Sequence, residues 1–243
     1  MLIEQAAYSN RWRQVSPEAK ACFALAGLIA AFAAVTPSAA LQVAVLSALI
    51  TCFGAGVSGR LFIRVAAPAT GFLALSCLSL LIAVDADLIW RWAPEAQPRV
   101  AALAGRSLAA LAALLGLVLT TPLSDLIALL RRLRCPEVIL DLMVLCYRML
   151  FVLTQALNDT RTAQQARLGY ATTRQSLRSL GQITANLAIQ VWQRAHALHQ
   201  AAQARNGDGS LRFLTPTFTH AGRETALAAA AGAILIVLAR WSV

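Results

Sequence analysis

The chain has 243 residues, of which 58% are apolar and only 13% charged, with 21 Lys and Arg against 11 Asp and Glu. A soluble domain carries roughly 25% charged residues, so a typical water-soluble enzyme is excluded, and the apolar excess excludes a disordered chain. What remains is a polytopic membrane protein with a basic water-facing part.

In chain order, the apolar runs come first. A membrane helix needs about 20 mainly apolar residues. Ala21 to Val35 and Ala39 to Ala55 form two such runs, divided at Thr36-Pro37-Ser38, where Pro37 punctuates the helix. Leu61 to Val84 is a third, in which Pro68 allows a kink. Val100 to Thr121 is a fourth and Thr225 to Trp241 the last. Ser38-Ala39-Ala40 mimics a signal-peptide cleavage site, but the long preceding segment with Glu4 and Glu18 argues against a leader.

Lys and Arg favour the cytoplasmic side of a membrane. Arg11, Arg13 and Lys20 precede the first run, and Arg60 and Arg64 fill the second loop. The turn at Thr36-Pro37-Ser38 is uncharged, and Asp85, Asp87 and Glu95 offset Arg91 and Arg99 in the third loop. The alternation predicts five spans with the N-terminus inside and the C-terminus outside. Trp12, Trp90, Trp92 and Trp241 suit the membrane interface, and Trp192 suits helix packing.

Pro122 to Arg223 differs in kind, with 12 arginines and 5 acids. Arginine interrupts its apolar stretches every few residues, which predicts amphipathic helices on or under the membrane. Pro122 fits the first turn of a helix, with Ser124 and Asp125 near its start and Arg131, Arg132 and Arg134 near its end. Cys135-Pro136 marks a break. The next helix opens with Glu137 and Asp141 and stays apolar almost all round to Gln155, apart from Arg148. A charge in that setting snorkels or needs an acid such as Asp141.

Two pentads then follow one pattern, Gln-Ala-Arg-x-Gly: Gln165-Ala166-Arg167-Leu168-Gly169 and Gln203-Ala204-Arg205-Asn206-Gly207. Gly169 and Gly207 stand where glycine caps a helix because it accepts a positive φ. The alanine permits close approach, and the arginine projects a guanidinium able to grip a carboxylate bidentately. The pattern serves equally as two ordinary helix ends or as a duplicated tip for two equivalent grooves.

With these residues in view, the chain resembles the transmembrane coupling subunit of energy-coupling factor transporters, in particular the cobalt-transport CbiQ type. The likeness runs through Asn10 to Lys20, Leu119-Thr120-Thr121-Pro122-Leu123, Leu129 to Leu133, Tyr147 to Leu153, Ala166 to Tyr170 and Ala204 to Gly209. The resemblance implies an all-α, polytopic membrane protein of the bacterial cytoplasmic (inner) membrane. It implies about five transmembrane helices and a cytoplasmic coupling-helix region. The expected division is 1–121, 122–223 and 224–243.

It also implies a non-catalytic role in an ATP-driven importer. Two ATP-binding cassette ATPases would take the tips Ala166-Arg167-Leu168 and Ala204-Arg205-Asn206 into their grooves. A substrate-binding membrane subunit would capture cobalt, with nickel or a vitamin as the alternative cargo. A small accessory membrane subunit and membrane lipid complete the implied partners. ATP and Mg would sit on the ATPases, and this chain would bind no cofactor. The second tip departs from the family's commoner Ala-Arg-Gly at Asn206, a residue that also tolerates the left-handed conformation.

Other chemistries find no support. A G-x-x-x-x-G-K-[ST] loop is impossible with Lys20 as the single lysine. His196 and His199 share a helix face beside Arg194 without a carboxylate or Cys to complete a metal set, and His220 is remote in sequence. The cysteines, Cys22, Cys52, Cys77, Cys135 and Cys146, have no CxxC spacing and read as small apolar residues. The net charge of +10 fits positive-inside topology rather than nucleic acid, because no stacking-aromatic stripe accompanies it. A lipid-modifying enzyme would need an interfacial acid cluster, and Asp85, Asp87 and Glu95 read as a solvated loop.

Overall fold

In a computed structural model of the protein, residues 2–84, 90–92, 96–204, 218 and 221–241 are described. They form α1 (Leu2–Ser9), α2 (Pro17–Ala33), α3 (Pro37–Leu49), α4 (Gly59–Leu81), α5 (Gln97–Thr120), α6 (Leu123–Arg132), α7 (Glu137–Ala166), α8 (Thr173–Ala204) and α9 (Ala221–Trp241). A short antiparallel ladder pairs β1 (Ile82–Val84) with β2 (Trp90–Trp92). The third apolar run therefore ends as a helix at Leu81, three residues earlier than expected, where Ile82 and Val84 bring β-branched preference to a strand. Pro68 lies inside an unbroken α4.

Among the described residues four helices are long and apolar enough to cross a membrane: Pro37–Gly54, where a π-helical turn Ile50–Gly54 continues α3, Gly59–Leu81, Gln97–Thr120 and Ala221–Trp241. The fold is thus that of an all-α, multi-pass membrane protein. The expected first span is the exception. It is α2, 17 residues from Pro17 to Ala33, which rises about 25 Å against a hydrocarbon thickness of about 30 Å. Glu18 and Lys20 occupy its opening turn. Pro37 starts α3 as its first helical residue, and the Thr36 hydroxyl accepts from Ala39 N–H at 3.3 Å.

The chain divides into two compact units, Met1–Leu129 with Thr215–Val243, and Leu130–Leu214. In the first, α2 packs against α9 and α5, and α3 against α5. The buried cluster is built mainly of alanine: Ala30, Ala31, Ala39, Ala40 and Ala109, with Val43 and Leu235. Small residues let helices approach closely where lipid removes any hydrophobic drive between them. A side chain at Gly232 would overlap Ala26, and one at Gly27 would come 2.9 Å from Ala113 Cβ. Arg106 Nη2 donates to the Ala34 carbonyl at 3.2 Å, capping the end of α2.

In the second unit, α7 and α8 form an antiparallel hairpin. Asn186 Nδ2 donates to Thr160 Oγ1 at 3.4 Å, Gln164 Nε2 to Gln182 Oε1 at 3.4 Å, and Ser179 Oγ to the Gly169 carbonyl at 2.8 Å. Only Leu140 and Val144 of α7 are buried, and its remaining large apolar residues are half-buried or exposed. The Arg148 side chain is exposed and makes no hydrogen bond or ion pair among the described residues, so of the two expected alternatives the pairing with Asp141 is not formed.

Candidate partner-docking site

The first pentad sits where α7 turns into α8. The helix ends at Ala166, Leu168 N–H donates to the Gln165 carbonyl at 3.1 Å, and Gly169 N–H to the Gln164 carbonyl at 2.9 Å. These two bonds define a Schellman cap, which satisfies carbonyls the helix end would otherwise orphan. Tyr170 Oη donates to Gln164 Oε1 at 3.3 Å, and Thr172 Oγ1 accepts from Gln175 N–H at 3.3 Å as α8 starts.

The cap departs from expectation in one respect. The left-handed residue is Leu168, at φ +54°, and not Gly169. A non-glycine residue there costs roughly 1–2 kcal/mol. Gly169 is required for space instead, because a Cβ would lie 2.6 Å from Ser179 Oγ and 3.0 Å from the Gln164 carbonyl oxygen. The same cap closes α6: Arg134 takes φ +60°, its N–H donates to Arg131 at 3.1 Å, and Cys135 N–H donates to Leu130 at 3.2 Å.

Ala166 and Arg167 are exposed, and Leu168 is 73% exposed. Arg167 N–H donates to the Gln164 carbonyl at 3.1 Å, while its guanidinium has no hydrogen-bond or ion-pair partner among the described residues. An open groove of about 710 Å³ runs beneath the turn, lined by Asp159, Gln164, Arg167, Arg178, Gln182 and neighbouring side chains. The site is a polar tip carrying one unpaired guanidinium beside one outward leucine.

Ala204 is exposed and ends α8, a helix of 32 residues that spans about 48 Å. Arg205, Asn206 and Gly207 lie outside the described residues, as do His220, Asp85, Asp87 and Glu95. His196 Nε2 pairs with Gln200 Nε2 at 3.2 Å and His199 Nε2 with Gln203 Nε2 at 3.1 Å, each one turn along α8. No group of three His, Cys, Asp or Glu able to hold a metal occurs among the described residues.

A second constellation brings together stretches far apart in sequence. Arg13 forms an ion pair with Asp125, whose side chain is only 3% exposed. Arg13 also lies over the Tyr8 ring, 5.2 Å from its centroid. Asn10 Nδ2 donates to the Thr120 carbonyl at 3.2 Å, and Lys20 Nζ to the same carbonyl at 3.1 Å. Ser16 N–H donates to Glu224 Oε2 at 2.7 Å. Cation and amide thus cap the negative end of α5, while Asp125 and Glu224 occupy first turns of α6 and α9, where anions are favoured.

Burial pushes the Lys20 amine down to about 8; Asp125 raises it, Arg13 lowers it and Glu224 raises it by smaller amounts. The sequence signal for this joint was the pair of stretches Asn10–Lys20 and Leu119–Leu123, but nothing in either showed that they meet. Pro122 also sits one position earlier than expected, just outside α6, with its carbonyl accepting from Asp125 and Leu126 N–H.

Comparison with known proteins bears on both constellations. The family model CbiQ, described as a cobalt transport protein, matches residues 9–215. The cobalt transport protein CbiQ of Rhodobacter capsulatus is 38% identical over 214 residues, covering 88% of this chain and 87% of that one. CbiQ of Salmonella typhimurium is 27% identical over 204 residues, covering 79% and 90%. A putative fused cobalt transport protein CbiMQ of Methanocorpusculum labreanum is 33% identical over 106 residues, covering 44% of this chain and 18% of that protein. The matched region takes in the first pentad and, of the joint, Asn10, Arg13, Ser16, Lys20, Thr120 and Asp125, and by its extent and these identities the chain belongs to the CbiQ family of cobalt transport proteins.

Proposed function

We propose that this chain is the non-catalytic coupling subunit of an ATP-driven cobalt importer in the bacterial cytoplasmic membrane. It engages a dimer of ATP-binding cassette subunits through Ala166-Arg167-Leu168 and Ala204-Arg205-Asn206. It transmits their motion to a substrate-binding membrane subunit that captures the metal. ATP and Mg bind the ATPases; this chain holds neither. The relative named as a fused CbiMQ supports a membrane partner working in cis with this kind of subunit.

One observation carries the reading: Arg167 stands exposed and unpaired at the end of a capped helical hairpin. A guanidinium held this way is ready for a bidentate carboxylate contact on a partner. Coupling then needs two partner states with different contacts at the tips. Because α8 runs as one long helix from Thr173 to Ala204, movement at the first socket travels along it as displacement of a rod.

Purification from native membranes in mild detergent tests the proposal. A P-loop ATPase and a small multi-span protein are expected to accompany the chain. Arg167→Ala with Arg205→Ala is expected to abolish cobalt uptake at normal expression. Full uptake in that double variant would sink the assignment.

A further inference from the structure

Leu168 combines two features that work against it in an isolated chain. It is left-handed, at φ +54°, and it is 73% exposed. Glycine at this cap position would remove the strain and the apolar exposure together. Arg134 adopts the same conformation at the end of α6, but as a cation at a helix C-terminus it gains from the dipole and from water. Leu168 gains neither. An observed backbone outlier of this kind points to a use outside the fold.

We propose that Leu168 is a preset apolar plug, seated in a hydrophobic socket of the partner ATPase beside the acid that takes Arg167. This rests on the docking role proposed above. The Schellman cap fixes the backbone on both sides of the leucine, through Leu168 N–H to Gln165 and Gly169 N–H to Gln164. Ser179 then anchors the Gly169 carbonyl at 2.8 Å. The isobutyl group is therefore aimed before contact, and little ordering cost remains for binding. The second tip carries Asn206 at the same pentad position, so the two tips are not equivalent. The first supplies an apolar anchor and the second does not.

The test measures two quantities on the full chain in detergent: its Tm, and its affinity for the ATPase subunit purified from the same membranes. Leu168→Gly and Leu168→Asn are expected to keep or raise Tm, by about 2–4 °C for glycine. Both are expected to weaken ATPase binding about tenfold. Leu168→Met is expected to retain most of the affinity, since it keeps an apolar side chain of similar volume. Opposed movement of stability and affinity separates a plug from a merely structural cap. If Arg167→Ala weakens binding while Leu168→Gly and Leu168→Asn do not, the plug is wrong and the docking role stands. If none of the three changes binding, the docking role falls and the plug with it.

Discussion

Lys20 Nζ donates to the main-chain carbonyl of Thr120 at 3.1 Å, so the single lysine of the chain caps the last turn of α5. The side chain is only 5% exposed. The bond joins the entry of α2 to the exit of α5 at the point where the chain turns into α6. Asn10 reaches the same carbonyl, and Arg13 holds Asp125 just beyond it.

This placement predicts a stability that rises with alkaline pH. Burial lowers the Lys20 pKa from 10.5 to about 8. Below about 8 the amine is charged in the folded and the unfolded chain alike, and the burial cost is fully present. Between about 8 and 10.5 the folded chain has shed the proton and the unfolded chain has not, so stability increases with pH in this window. The gain is at most on the order of 3 kcal/mol. Thermal unfolding of the wild type and Lys20→Met across this range checks it. The wild type should gain on the variant as pH rises, and parallel curves would show that the amine does not titrate within the fold.

Asp125→Asn is expected to loosen the same joint. It leaves Arg13 and Lys20 without their nearest anion, and the variant should lose about 1–3 kcal/mol. That lies below the usual cost of breaking a buried pair because Arg13 is partly exposed. Removing a charge that raises the Lys20 pKa should also shift the alkaline stability gain to lower pH. A pH profile unchanged by Asp125→Asn would show that the two groups do not sense one another.

The apolar runs made the membrane fold legible because length and composition alone decide whether a helix can span. Their ends were less legible. Ile82 to Val84 is as apolar as the helix before it, and only pairing with Trp90–Trp92 makes it a strand. The α2 run counts as a span by composition and falls short by length, since Pro17 and the turn before Thr36 fix its ends. At the tip, the pentad pointed to a cap, but glycine preference assigned the positive φ to Gly169 when the hydrogen bonds place it on Leu168. The joint around Lys20 was hidden for another reason. Residue pairs such as Arg13 and Asp125 are 112 positions apart, and no local pattern encodes such a contact.

The alanine core predicts sharp intolerance at particular glycines. Gly232→Ala should destabilise the first unit by about 1–3 kcal/mol, because the new methyl overlaps Ala26 and α2 must move away from α9. Gly27→Ala should act likewise against Ala113. Gly71→Ala is the control: nothing lies within 4 Å of its added Cβ, and the helix should be unharmed or slightly more stable. Tm values in detergent that fall equally for all three would contradict a core set by close helix approach.

Arg167 should behave in the opposite way to the buried residues. It is exposed and its guanidinium has no partner among the described residues, so Arg167→Ala should leave Tm within about 1 °C, as is usual for surface substitutions. Its loss should cost about 2–3 kcal/mol of association with the ATPase, the scale of a hydrogen bond to a charged group. That is roughly a 30- to 150-fold rise in Kd. Arg167→Lys should recover only part of it, because an ammonium keeps the charge and loses the planar two-donor fork. Titrating the purified ATPase against each variant, with Tm measured in parallel, tests the assignment. A variant that unfolds and fails to bind would make Arg167 a structural residue. A variant that stays folded and binds at full strength would remove the guanidinium from the interface.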